Sequence, residues 1–189
     1  MKFLGVDPGV SGALAVIDDS DKVDFRFEFF DTPTRQMKSG KTFKNVIDPS
    51  ALTLLLEPYQ HESYIVIEKV NAMPSMPGPD GERRSMGATS AFNFGYGFGL
   101  WIGVIAALRI PYSMVHPMTW KRAIMPDAAK DKDASRVRAT QLYPWTAKDL
   151  SRKKDHGRAD ALLLATYGMR TYTARQDWNK IDAPQKGLF

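Results

Sequence analysis

The chain has 189 residues, with 26 Lys and Arg against 21 Asp and Glu, a net charge of +5, 43% hydrophobic residues and no Cys. That length suits one domain able to bury about 70% of its unfolded surface, so no covalent staple is required. The lack of Cys excludes disulfide scaffolds, thiol nucleophiles, CxxC redox sites and Cys-ligated zinc, and three His leave little for an all-imidazole zinc site.

The first segment, MKFLGVDPGVSG, places Asp7 and glycines where a signal peptide needs an apolar core, so a cytoplasmic location is expected. Residues 2–7 and 12–18 read as strands joined by a glycine-bearing turn. In residues 23–31 Val23, Phe25, Phe27 and Phe29 alternate with Asp24, Arg26 and Glu28, the period of a half-solvated third strand. Asp48-Pro49 is an N-cap and first-turn pair for a short helix over residues 51–57. YIVIE, residues 64–68, predicts a central strand buried on both faces. Residues 73–84, rich in Pro, Gly and charge, form a long loop of the kind that is usually functional.

Residues 91–108 predict a helix with Gly95, Gly99, Gly103 and Ala107 on one stripe. Each helical glycine costs about 1 kcal/mol relative to Ala, so a sheet, a partner helix or a second copy is expected close against it. Residues 85–108 carry no charge, but their Ser, Thr, Asn and five glycines dilute the apolar content, and the segment is not read as a membrane span. A fifth strand over residues 111–116, a basic helix over 133–142 and a last helix from His156 or Arg158 to about Arg175 follow. The tail, residues 177–189, lacks periodicity and is expected to fray from a domain spanning residues 1–176. The order βββαβαβαα predicts an α/β fold with a mixed five-stranded sheet and helices on both faces.

The positive charge is local: residues 117–158 hold eleven Lys or Arg against five Asp. A polyanion docks on such a field, although any one basic run is by default a solvated helix face. Asp7 and Glu68 both end apolar strands. If those strands are parallel neighbours, the two acids lie side by side and repel unless a hard cation such as Mg²⁺ or Mn²⁺ sits between them. Asp155 and Asp160 flank the start of the last helix and can close the site; Asp155 has an equally good reading as that helix's N-cap.

GVDPGVSGALAV, YIVIE, HPMTWKR, AKDKDASR and DHGRADALLLA, in this order, resemble the RuvC family of Holliday junction resolvases, with the closest likeness to its bacteriophage branch. The likeness runs from about residue 1 to 167. It implies an RNase H-like fold, a homodimer without small-molecule cofactor, two Mg²⁺ or Mn²⁺ ions per site, and paired symmetric nicks in four-way DNA leaving 5′-phosphates. For a phage-encoded chain the setting is replication or recombination intermediates in a bacterial host cell. Asp7, Glu68 and Asp160 match three of the family's acids. The family's fourth ligand stands three residues before the last aspartate, where this chain has Gly157, so either Asp155, favoured as the harder ligand, or His156, one turn before Asp160, takes its place. Lys121 and Lys132 match two lysines near the scissile phosphate, and Arg83, Arg84, Lys121, Arg122, Lys132, Arg136, Lys153 and Lys154 are the candidate DNA contacts.

Three other readings compete with this one. A sugar kinase or actin-like ATPase needs a second related domain for which the chain is too short. A junction-binding protein without cleavage requires the acids to be structural. An RNase H-fold nuclease for other branched DNA or RNA/DNA hybrids would carry the same metal site.

Overall fold

A computed structural model describes residues 1–21, 25–70, 76–77, 83–84, 87–126 and 133–181. Strands β1 (Lys2–Asp7), β2 (Ala13–Asp18) and β3 (Arg26–Asp31) form the expected antiparallel meander. Next come a hairpin of β4 (Thr34–Ser39) and β5 (Thr42–Ile47), helix α1 (Pro49–Leu56) and strand β6 (Ser63–Glu68). A two-residue pair, β7 (Met76–Pro77) and β8 (Arg83–Arg84), precedes α2 (Ala88–Ala107), β9 (Tyr112–Val115), α3 (Pro117–Ile124), α4 (Ala134–Leu142) and α5 (His156–Ile181).

The main sheet has the order β3-β2-β1-β6-β9, with β1, β6 and β9 parallel. Because side chains alternate across a strand, each central strand feeds two cores. Leu4, Val6, Leu14, Val16, Ile65 and Ile67 pack with α1 and α2 on one face. Phe3, Ala13, Ala15, Ile17 and Val66 pack with α3, α4 and α5 on the other. YIVIE is therefore buried on both sides, as its composition requires.

Helix α5 runs unusually close to β1. A Cβ at Gly5 would overlap the carbonyl of Ala161, and one at Gly168 would come within 2.7 Å of Val66. Asp7 lies on the same face of β1 as Gly5, two residues on, so the close approach brings the start of α5 beside that carboxylate.

Four expectations change. The β4–β5 hairpin falls where no strand was expected, since its TRQMKS and TFKNVI segments are exposed on nearly every side and carry no apolar alternation. Helix α3 was also missed, because eight residues with two buried anchors, Trp120 and Ile124, are too few for a periodic signal. Helix α5 continues to Ile181, beyond the expected end near Arg175 and into the tail expected to begin at Asp177, because no helix breaker occurs before Pro184. The sheet does not cover the small-residue stripe of α2: among the described residues a Cβ at Gly95, Gly99 or Gly103 would meet nothing within 4 Å.

Candidate active site

The parallel register pairs Val6 with Ile67, so Asp7 and Glu68 leave the ends of adjacent strands on the α5 side of the sheet. The turn after Asp7 is tight. Gly12 donates to the Gly9 carbonyl at 2.9 Å, Gly9 N–H reaches Asp7 Oδ1 at 3.4 Å, and a Cβ at Gly12 would overlap the Asp7 carbonyl. Asp160 comes from the second turn of α5. Its Oδ1 is buried and has no hydrogen-bond partner among the described residues, an arrangement that native proteins avoid unless an ion, a water or a function accounts for it.

The three acids sense one another. Burial, then the charges of Asp160 and Glu68, push the Asp7 carboxyl up to about 6, against smaller opposing effects of the Gly9 N–H and the His156 charge. Glu68 is also raised, by burial first and by Asp160 in addition, while a hydrogen bond from Trp120 and the Lys121 charge act the other way. Among the described residues no three His, Asp or Glu side chains form a ready-made metal-binding group. What the fold provides instead is a set of mutually repelling, partly desolvated carboxylates with one unpartnered buried oxygen. A hard divalent cation fits that donor set, because it neutralises the repulsion and takes oxygen ligands.

Of the two candidates for the fourth position, the structure engages Asp155 elsewhere. Asp155 is 2% exposed and accepts from the Arg152 backbone N–H at 2.7 Å, from Arg152 Nε at 3.0 and 3.2 Å, and from Nη2 at 2.7 Å. These bonds hold its carboxyl below the usual range; it does not cap α5, as the alternative to ligation had it, but ends a short 3-10 turn over Lys153–Asp155 and answers the backbone N–H of that turn's N-cap residue, Arg152. His156 is exposed at the first position of α5, one turn before Asp160, and its charge acts on Asp7. Position 157 cannot carry a side chain here: a Cβ would sit 2.9 Å from the Ser11 carbonyl and 3.3 Å from Asp7 Oδ2.

Trp120 is the residue that sequence reasoning missed. It is fully buried on α3 and donates its indole N–H to Glu68 Oε2 at 2.7 Å. A buried tryptophan usually finds an acceptor for that N–H, which is the available signal, although Trp101 Nε1 finds none among the described residues. Lys121 follows it, with Nζ 5.1 Å from the Trp120 ring centroid, close enough to influence Glu68.

The cationic candidates divide. Arg122, Lys153 and Lys154 are exposed. Arg136 is engaged within the fold: Nη1 donates to the carbonyls of Leu150 and Ser151, and Nε pairs with Asp133 at 3.3 Å, which braces the loop before α5. Lys132 lies outside the described residues. Arg83 and Arg84 form the short strand β8, most of whose loop lies outside them too.

No family model matches the chain. It is 32% identical over 100 residues to the chloroplastic Holliday junction resolvase MOC1 of Chlamydomonas reinhardtii. That match covers 53% of this chain, which spans about a tenth of the length of that curated relative. Among solved structures, Thermus thermophilus RuvC superposes with a TM-score of 0.54 at 17% identity, covering 94% of this chain and 97% of that one. T. thermophilus RuvC in complex with its Holliday junction substrate gives 0.56 at 15%, covering 93% and 96%. The five-stranded mixed sheet, the helices on both faces and these superpositions together establish that the chain has the RNase H-like fold of RuvC.

Proposed function

We propose that the chain is a RuvC-type resolvase of the phage branch, a metal-dependent endonuclease that cuts four-way DNA junctions by paired symmetric nicks. The observation that carries this reading is the convergence of Asp7, Glu68 and Asp160 from three separate elements, with Asp160 Oδ1 buried and unpartnered. The partial match to MOC1 and the shared fold support it.

Asp7, Glu68 and Asp160, with His156 in preference to Asp155 as the fourth group, would hold two Mg²⁺ or Mn²⁺ ions. Bound there, such ions supply Lewis acidity for a water attacking phosphorus and for the departing oxygen. In the hydrolysis a water oxygen bonds to phosphorus and the P–O3′ bond breaks, leaving a 5′-phosphate and a 3′-hydroxyl. Trp120 fixes the Glu68 carboxylate through its indole N–H. Lys121, beside Glu68, offsets negative charge building on the phosphoryl oxygens, and Lys132 belongs to the same role by its match to the family. Arg122, Lys153 and Lys154 hold the phosphate backbone, with Arg83 and Arg84 placed at the crossover.

Two symmetric nicks need two sites, and α2 offers the surface to join them. Phe92, Phe94 and Tyr96 are exposed, Gly95, Gly99 and Gly103 are open, and only 17% of its most apolar window is buried. By length and composition this helix is apolar enough to cross a membrane; in our reading a second copy covers it, the small residues letting two backbones approach. A dimer is expected in light scattering, and Gly103→Glu is expected to yield monomers. A monomeric wild type would contradict this part.

The function is tested by incubating wild type and Asp7→Asn with labelled four-way, three-way and linear DNA in Mg²⁺, Mn²⁺ or EDTA. Paired nicks confined to the four-way form, absent in EDTA and in the variant, are expected. Equal cutting of all three forms would favour a general RNase H-fold nuclease, and tight junction binding without any cutting would favour a junction-binding protein.

A further inference from the structure

The β4–β5 hairpin lies outside the machinery described so far. Between Thr34 and Ile47 it carries Arg35, Lys38, Lys41 and Lys44 and no acid. All four cations are exposed, and none pairs with an acid among the described residues. Met37 and Phe43 are exposed as well, Phe43 at 66%.

Its base is fixed to the catalytic end of the sheet. β3 ends at Asp31, opposite Ala13, which is itself opposite Asp7, so the hairpin leaves the sheet two strands from Asp7, roughly 10 Å at ordinary strand spacing. Arg158, two residues before Asp160, holds Asp31 at 2.6 Å. Thr32 N–H donates to the Gly12 carbonyl at 3.0 Å, and Asp48 N–H to Pro33 at 3.0 Å. Ile47 is buried against α2, where a Cβ on Gly97 would come within 3.1 Å of it.

The register sets what the arm presents. Lys38 faces Phe43, Met37 faces Lys44 and Arg35 faces Val46 across the pair, and directly opposite residues share a face. Lys38 and Phe43 therefore lie on one face, and Arg35, Met37 and Lys44 on the other. The two-residue tip, Gly40 and Lys41, has Gly40 at φ 63°, a conformation in which glycine meets no steric cost. Six residues per strand give a reach of roughly 20 Å. An exposed two-stranded arm with cations on both faces and no acid is unsuited to a protein core. It suits a polyanion, and exposed apolar side chains between cations are what nucleic-acid grooves use against bases.

We propose that β4–β5 is a DNA-gripping arm, in which Arg35, Lys38, Lys41 and Lys44 engage backbone phosphates of a junction arm next to the cut strand. The proposal rests on the junction-nuclease reading and adds to it a contact surface separate from the basic segment of residues 117–158.

The test compares wild type with R35A/K38A/K41A/K44A by fluorescence anisotropy on a labelled four-way junction in EDTA, from 50 to 200 mM KCl. Each phosphate contact contributes about 0.9 to the slope of log affinity against log salt. The variant is expected to show a slope shallower by about 3.6, and about 10- to 100-fold weaker binding at low salt, with K38R/K41R/K44R keeping the wild-type slope. Melting temperatures establish that the variants are folded; should the alanine variant fail to fold, the single substitutions K38A and K44A, each expected to remove about one unit of slope, carry the test. Unchanged affinity and slope, or weaker binding with unchanged slope, would overturn the arm while leaving the nuclease reading intact. A wild type that does not bind the junction would overturn both.

Discussion

Two aspartates five residues apart, at the entrance to the same helix, have opposite fates. Asp155 is buried and answered from every side, and Arg152 holds its carboxyl low. Asp160 faces two other acids and keeps a buried oxygen with no partner. Thr32 Oγ1 and Trp101 Nε1 are also buried without a partner among the described residues, but of these atoms Asp160 Oδ1 alone belongs to a carboxylate that faces other acids. In the proposed reading the difference separates the acid that builds the helix entrance, Asp155, from the acid that serves the site, Asp160.

Cleavage gives the largest expected contrast. Asp160→Asn should lower junction cutting by about a thousandfold or more, as loss of a group acting in the transition state does, yet leave the protein folded. Asp155→Asn should act through stability instead: weakening its charge-assisted hydrogen bonds to Arg152 costs about 1.5–3 kcal/mol, read as a lower melting temperature, with cutting retained at temperatures where the variant is folded. Equal loss of cutting in both would erase the distinction.

The next effect is in pH, and it has opposite signs at the two kinds of acid. For Asp7 the folded carboxyl lies at about 6 against an ordinary 3.8. Its contribution to the stability of the metal-free protein is fully present below the ordinary value and is lost as pH rises through about 6. Asp155 is shifted down, so its contribution is present above the ordinary value and is lost as pH falls through the folded one. In EDTA, Asp7→Asn should therefore melt higher than wild type at pH 7 to 8, by on the order of a few degrees, and lose that advantage below about pH 4. A constant offset across the range would argue against the shift.

The smallest effect concerns positioning. Trp120→Phe keeps the ring in the core but removes the donor to Glu68. Cutting should fall about tenfold, the share of roughly 1.4 kcal/mol attributable to one hydrogen bond to a charged group. The loss is expected in the maximal rate, with junction affinity unchanged. An unchanged rate would leave Trp120 a packing residue only.

The sequence announces what is periodic or continuous. The run ending at Asp7 is apolar enough to be recognised as a strand and the run ending at Glu68 as a central one, and adjacency of their ends follows once they are parallel. The long apolar face of α5 carries Asp160 with it. What stayed hidden depends on side-chain reach or on surface. Asp155 could be told from a ligand only by seeing Arg152 fold back onto it, and Gly157 only by seeing α5 pressed against the Ser11–Gly12 backbone. The β4–β5 hairpin buries almost nothing, so no pattern of burial marks it. Trp120 sits in a helix too short to show a period, and only the need of its N–H for an acceptor pointed beyond packing.

The central claim, that Asp7, Glu68 and Asp160 meet around divalent cations while Asp155 does not, is tested most directly by titrating Mn²⁺ into metal-free protein and counting bound ions by electron paramagnetic resonance. Saturable binding in wild type, kept in Asp155→Asn at a temperature where it is folded and lost or strongly weakened in Asp160→Asn, is the predicted result. Binding that survives Asp160→Asn and disappears in folded Asp155→Asn would contradict the account.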